Sequence, residues 1–142
     1  MEFTKQAHCV YYARYHFVFV TKYRRNYLKG GMGAYLSVIL KQISRQYPGV
    51  KIIESKTDMD HIHMLVSVPP KFSISDVVKY MKGYSSHEMR KRFKFLTNPE
   101  YMSDSFWSDG YFFSTVGVNE DIIRRYVEHQ GEEDRGQAVL VI

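Results

Sequence analysis

The run His61-Ile62-His63-Met64-Leu65-Val66-Ser67-Val68 decides how the rest of this chain is read. Ile62, Met64, Val66 and Val68 recur at every second position. Side chains two apart on a strand share a face. The spacing therefore predicts a strand with one apolar face and an opposite face carrying both imidazoles, His61 and His63. Pro69-Pro70 stops it, because proline cannot donate to a sheet ladder. Just upstream, Asp58-Met59-Asp60 reads as a short turn, and Val50 to Lys56 as the preceding strand.

Moving outward, Arg14-Tyr15-His16-Phe17-Val18-Phe19-Val20 is rich in aromatic and β-branched residues and reads as a strand. Gly30-Gly31 breaks the chain. Leu36, Ile39, Leu40 and Ile43 recur at helical spacing, which predicts a helix over 33–47 ended by Pro48-Gly49. Ser73 or Ser75 can cap a helix reaching about Phe93, with Val77, Tyr80, Met81 and Tyr84 on one stripe. Residues 96–110 look irregular, and Tyr111 to Val116 reads as a fourth strand. Asn119 can cap a last helix through about Gln130, with Glu120 and Asp121 in its first turn and Gly131 as its stop. The order is β-α-β-β-α-β-α. Its first six elements match a ferredoxin-like split βαβ arrangement, an α+β fold with an antiparallel sheet and helices on one face. The C-terminal helix is left for the other face.

A chain of 142 residues fits one domain. We read 1–142 as that domain, with a core over 8–131 and a tail over 132–142 that is acidic and then ends in a short apolar run. No stretch is long and apolar enough for a transmembrane helix, and Met1 to Lys5 lacks the apolar run of a signal peptide, so a cytoplasmic protein with no membrane partner is expected. The lone Cys9 excludes an internal disulfide and a multi-cysteine zinc site. The net charge is +5, unevenly spread: residues 71–98 hold seven Lys/Arg and two acids, residues 99–142 three and nine. Two basic regions, around Lys22-Tyr23-Arg24-Arg25 and from Lys79 to Arg92, have tyrosines interleaved. Cations beside aromatic faces suit a phosphate backbone and unstacked bases, although the same pattern serves a solvated face over an ordinary core.

Two features carry chemistry. His61 and His63 on one strand face form half of a metal site, or else a pair of surface histidines. Tyr126 and Gln130 are four apart, so they share a helical face, beside a stripe of Ile123 and Val127 that can seat the helix. Tyr126 offers a phenol and Gln130 an amide oxygen; the alternative is a half-buried tyrosine beside a solvated glutamine.

Asp60-His61-Ile62-His63 followed by Met64-Leu65-Val66 resembles the His-hydrophobic-His (HUH) strand of the single-tyrosine transposases of the smallest single-strand insertion sequences, the IS200-like family, which is related to the REP-associated tyrosine transposases. Lys22-Tyr23-Arg24-Arg25 resembles that family's basic segment. Phe106-Trp107-Ser108-Asp109-Gly110-Tyr111-Phe112 resembles its aromatic-glycine segment, and Ile122 to Gln130 its catalytic helix. The resemblance covers about residues 8–131 in the family's order.

The resemblance implies an enzyme that nicks and rejoins single-stranded DNA at insertion-sequence ends. Tyr126 would be the nucleophile, forming a 5′-phosphotyrosine and leaving a free 3′-hydroxyl. His61, His63 and Gln130 would hold one divalent cation, and a nitrogen and oxygen donor set without thiolate suits Mg2+ or Mn2+. The partners implied are single-stranded DNA with subterminal hairpins and a second copy of the chain, with no small-molecule substrate. Lys22, Arg24, Arg25, Lys79, Lys82, Arg90, Lys91 and Arg92 are the candidate DNA contacts. Two further readings stand beside this one: a domesticated relative acting on chromosomal repeats, and a non-catalytic single-stranded nucleic-acid-binding module on the same fold.

Overall fold

The computed structural model of the protein describes residues 4–6, 9–98, 105–115 and 119–136. A short hairpin, β1 (Thr4–Gln6) and β2 (Cys9–Tyr11), precedes the main sheet and was not expected from the sequence. The sheet comprises β3 (Arg14–Val20), β4 (Lys51–Thr57), β5 (His61–Ser67) and β6 (Phe112–Ser114), in the antiparallel order β4-β5-β3-β6. Helices α1 (Gly31–Leu40) and α2 (Ile74–Arg92) connect β3 to β4 and β5 to β6, and α3 (Glu120–Asp134) follows. This is the split βαβ order expected from the succession of elements along the chain.

The two sheet faces carry unequal loads. Phe17 and Phe19 of β3 and Ile62, Met64 and Val66 of β5 alternate onto one face, where they pack with Leu36, Ile39 and Leu40 of α1 and Val77, Val78 and Met81 of α2. On the other face, β3 offers Val18 and Val20, which form a small cluster with Ile123 and Val127 of α3. His16, Val18 and Val20 lie in register with Leu65, His63 and His61. The period of two thus puts His61 and His63 on the α3 side.

Several boundaries differ from expectation for physical reasons. The helix expected over 33–47 ends at Leu40 and tightens into a 3-10 turn, Lys41–Arg45, that keeps Ile43 buried. The fourth strand spans three residues, pairing His16 with Ser114, Phe17 with Phe113 and Val18 with Phe112; Val116 lies outside the described residues. Asn119 caps α3 by accepting from the Ile122 N–H at 2.9 Å, as expected. Gly131, however, does not stop α3. It is buried within the helix, where an added Cβ would lie 2.3 Å from Arg24 Cδ, so this glycine serves a close approach. Gly136, at φ 71°, takes the left-handed conformation just past the helix. Glu132, Glu133 and Asp134, expected in an acidic tail, are therefore helical, while the apolar terminus from Ala138 to Ile142 lies outside the described residues.

Candidate active site

Thr21 ties the end of β3 to the start of β5. Its N–H donates to the Asp60 carbonyl at 2.9 Å, and its buried hydroxyl reaches the Arg25 carbonyl at 2.7 Å. The next residues, Lys22–Arg24, form a 3-10 turn in which Tyr23 (φ 58°) and Arg24 (φ 54°) adopt the left-handed region. Non-glycine residues hold that conformation only where their surroundings impose it. Phe106 and Trp107 are buried against this corner. The Lys22 N–H donates to the Phe106 carbonyl at 3.0 Å, the Ser108 N–H to the Val20 carbonyl at 2.8 Å, and Trp107 Nε1 to Ser85 Oγ at 3.0 Å. The aromatic-glycine segment thus packs the corner in place.

His61 Nδ1 lies 2.9 Å from Asp60 Oδ1, and Arg24 Nε donates to Asp60 Oδ2 at 3.1 Å. Burial works to raise the Asp60 carboxyl, but hydrogen bonds from His61 and Arg24 outweigh it and hold the group below the usual carboxylate range. A carboxylate can only accept from the ring, so Nδ1 carries a proton and Nε2 is the nitrogen that can offer a lone pair. This is the arrangement seen for metal-binding histidines, in which a carboxylate fixes tautomer and ring orientation. His63 Nε2 stands 3.0 Å from His16 Nδ1, so these two nitrogens share a proton and a cation approaching His63 Nε2 must displace His16. Burial, then the neighbouring His16, pushes the His63 imidazole below its ordinary value. His61 borders a cleft of about 390 Å³ shared with Asp60, Glu120, Ile123, Arg124 and Val127, so α3 faces it directly. His63 borders a second cleft, about 490 Å³, with His16, Glu54, Lys56 and Leu65.

Tyr126 packs against Phe112 with ring centroids 5.6 Å apart, and its hydroxyl donates to Gln130 Oε1 at 3.2 Å. Gln130 Nε2 donates to Asp134 Oδ1 at 3.4 Å, which turns the amide oxygen toward the tyrosine. Asp134 is nearly buried and is held by Lys22 Nζ at 3.5 Å, by the Tyr23 N–H at 2.9 Å and by the Ser108 hydroxyl. Burial, together with Glu133 and Asp134, raises Tyr126 well above an ordinary phenol, so the resting side chain is neutral. His129 pairs with Glu133 at 3.1 Å, away from Tyr126. His61 bonds to Asp60 and His63 to His16, while Tyr126 bonds to Gln130 and Gln130 in turn to Asp134.

The candidate DNA contacts separate into two groups. Lys22 and Arg24 direct their charges to Asp134 and Asp60, Arg25 donates to the Tyr27 hydroxyl at 3.0 Å, and Lys82 donates to the carbonyls of Ser108 and Gly110 at 2.7 Å each. Burial pulls the Lys82 ammonium below its ordinary value. Lys79, Lys91 and Arg92 are exposed along α2, and Arg90 is half-buried. Sequence reasoning missed His16 and Asp134, and gave Asp60 no role. His16 was within reach, since it alternates with Val18 and Val20 on a recognised strand; Asp134 was hidden by the expectation that α3 ends at Gly131.

A four-stranded antiparallel sheet bearing an HxH pair on the face covered by a helix with a Tyr-x-x-x-Gln pair is the arrangement that the sequence resemblance foresaw. Known proteins share its sequence and its fold. The model of the transposase IS200-like family matches residues 9–130. The transposase for insertion sequence element IS200 of Salmonella typhimurium is 39% identical over 129 residues, 91% of this chain and 84% of that protein. The ISDra2 transposase TnpA of Deinococcus radiodurans is 31% identical over 135 residues, covering 94% and 95%. A crystal structure of a protein from Deinococcus radiodurans R1 assigned as a transposase superposes with a TM-score of 0.78 at 30% identity, over 89% of this chain and 97% of that one. A REP-associated tyrosine transposase bound to a REP hairpin shares the fold, with a TM-score of 0.54 at 16% identity over 94% and 76%. The chain belongs to the IS200-like transposase family. Membership implies an enzyme of DNA transposition, a protein of a mobile element that cleaves DNA. No helix among the described residues is long and apolar enough to cross a membrane.

Proposed function

We propose that this chain cuts and rejoins single-stranded DNA at insertion-sequence ends, with Tyr126 as nucleophile and His61, His63 and Gln130 as the ligands of a divalent cation, Mg2+ or Mn2+. The observation that carries the reading is the common face: the histidines of β5 lie beside the Val18–Val20 seat on which α3 packs, and α3 carries Tyr126 and Gln130. The donor chemistry fits a hard to borderline cation. Asp60 leaves His61 Nε2 as the lone-pair donor, and Asp134 leaves the Gln130 amide oxygen facing away from itself. A divalent cation bound there supplies Lewis-acid polarisation of the scissile phosphate.

The chain's own residues do the rest. Tyr126 rests as a neutral phenol hydrogen-bonded to Gln130. It must shed its proton and leave that bond to attack. The phenol oxygen then bonds to phosphorus, the bond from phosphorus to the 3′-oxygen breaks, and that oxygen leaves as a 3′-hydroxyl after taking up a proton. The 5′-phosphotyrosine conserves the phosphodiester bond energy, so a 3′-hydroxyl can reverse the step without an outside energy source. Burial that raises the Tyr126 pKa keeps the nucleophile quiet until substrate arrives. Hairpin-bearing single strands are the expected substrate, and the exposed Lys79, Lys91 and Arg92 are the cations best suited to a phosphate backbone. A homodimer is the expected assembly.

The test is an incubation of the chain with a single-stranded insertion-sequence end and Mg2+ or Mn2+. A denaturant-resistant protein–DNA adduct located on Tyr126 by mass spectrometry is the expected result. Tyr126→Phe abolishes the adduct and changes DNA affinity by less than about 1 kcal/mol, since only a hydroxyl is lost. Chelation abolishes the adduct in the native chain. Binding without an adduct in the native chain would instead establish the non-catalytic module.

A further inference from the structure

We propose that Arg24 is a positioning residue that couples the seating of α3 to the orientation of His61; the inference rests on reading His61 as a cation ligand. Arg24 touches both halves of the site at once. Its aliphatic stem lies so close to α3 that a Cβ on Gly131 would fall 2.3 Å from its Cδ and 2.7 Å from its Cγ. Its Nε, at the far end of that stem, bonds to Asp60 Oδ2 at 3.1 Å, and the other Asp60 oxygen holds His61 Nδ1 at 2.9 Å. Three contacts thus run in series from the nucleophile's helix to the ring: Gly131 to Arg24, Arg24 to Asp60, Asp60 to His61.

The backbone leaves this chain of contacts little slack. Tyr23 and Arg24 both occupy the left-handed region, and the Tyr23 N–H is held by Asp134 of α3, three residues beyond Gly131. The Arg24 side chain is pressed by α3 on one side and anchored to Asp60 on the other. If α3 lifts from the Val18–Val20 seat, Asp134 releases the turn and Arg24 loses its wall. Asp60 then loses one of the two donors that hold its carboxylate in place. His61 is aimed only while the helix bearing Tyr126 is docked, so ligand and nucleophile are set together. Lys22 and Arg24 thereby gain a role inside the protein that their basic character conceals.

Gly131→Ala tests this without touching any proposed ligand. Alanine is the stronger helix former, so α3 itself is not weakened, while its methyl group must push the Arg24 stem aside. With histidine labelled with 15N, ring spectra of the cation-free native chain should show His61 protonated on Nδ1. Gly131→Ala and Arg24→Ala should each shift the His61 ring signals and weaken Mn2+ binding by about 10- to 100-fold, the range for loss of a residue that orients a ligand. Arg24→Lys, which keeps a stem and a charge, should recover most of both. Adding Gly131→Ala to Arg24→Ala should cost nothing more, because the methyl group then meets no stem. Unchanged His61 signals in Gly131→Ala, or penalties that add in the double variant, would overturn the coupling. A native chain whose His61 signals respond as expected but which binds no Mn2+ would sink the cation reading alone, so the two failures are separable.

Discussion

The two faces of the sheet do different work with different forces. The α1–α2 face is a broad apolar interior built from Phe17, Phe19, Ile62, Met64, Leu36 and Met81, with further side chains around them. The α3 face is held by four buried side chains, Val18, Val20, Ile123 and Val127, and by a polar clasp in which Asp134 meets Lys22, Tyr23 and Ser108. The first supplies the stability of the fold. The second supplies direction, because hydrogen bonds and ion pairs fix angles that apolar contact leaves loose. The proposed site residues, His61, His63, Tyr126 and Gln130, belong to the lightly held face.

The contrast is open to direct attack. Phe19→Ala, in the broad interior, should cost about 3–5 kcal/mol of global stability in denaturant unfolding. Val127→Ala on the α3 face removes about two methylene equivalents, about 1.6 kcal/mol, and should show chiefly as faster amide exchange along α3. Equal shifts of the global midpoint for the two would erase the distinction. Asp134→Asn keeps the shape of the clasp and removes its charge. The expected cost is about 1.5–3 kcal/mol, confined to α3 exchange, with loss of adduct formation because the one remaining oxygen stays with Tyr23 and Ser108 and the NH2 then facing Gln130 cannot accept from it. An adduct formed at the native rate would show that the clasp is dispensable. The smallest effect is expected at His16. His16→Ala removes the hydrogen bond that competes for His63 Nε2, worth about 1 kcal/mol, so Mn2+ should bind about fivefold tighter by calorimetry. Weaker binding would mean that His16 supports the site.

Much of this was legible in the chain itself, because it depends on neighbours in sequence. Alternation along β5 placed His61 and His63 on one face, and the four-residue spacing placed Tyr126 beside Gln130, where their 3.2 Å hydrogen bond is found. The Asn119 cap was equally local. The basic segment was read from its charge and from the family resemblance as a candidate DNA contact. Its cations are not free in that sense: Lys22 and Arg24 answer carboxylates far along the chain, and the Tyr23 N–H reaches Asp134 across 111 residues. Gly131 was taken for a helix stop because glycine usually weakens a helix, whereas here the missing Cβ makes room for Arg24.

The amino-acid order alone determined which residues share a strand face, which share a helix face and in what succession the elements come, since periods of 2 and 3.6 are properties of the backbone. Only the folded chain decided that α3 runs on to Asp134, that His16 holds His63, and that Arg24 stands between Gly131 and Asp60. Those are contacts between segments far apart in sequence. Their partners are chosen by packing geometry, which no local pattern records.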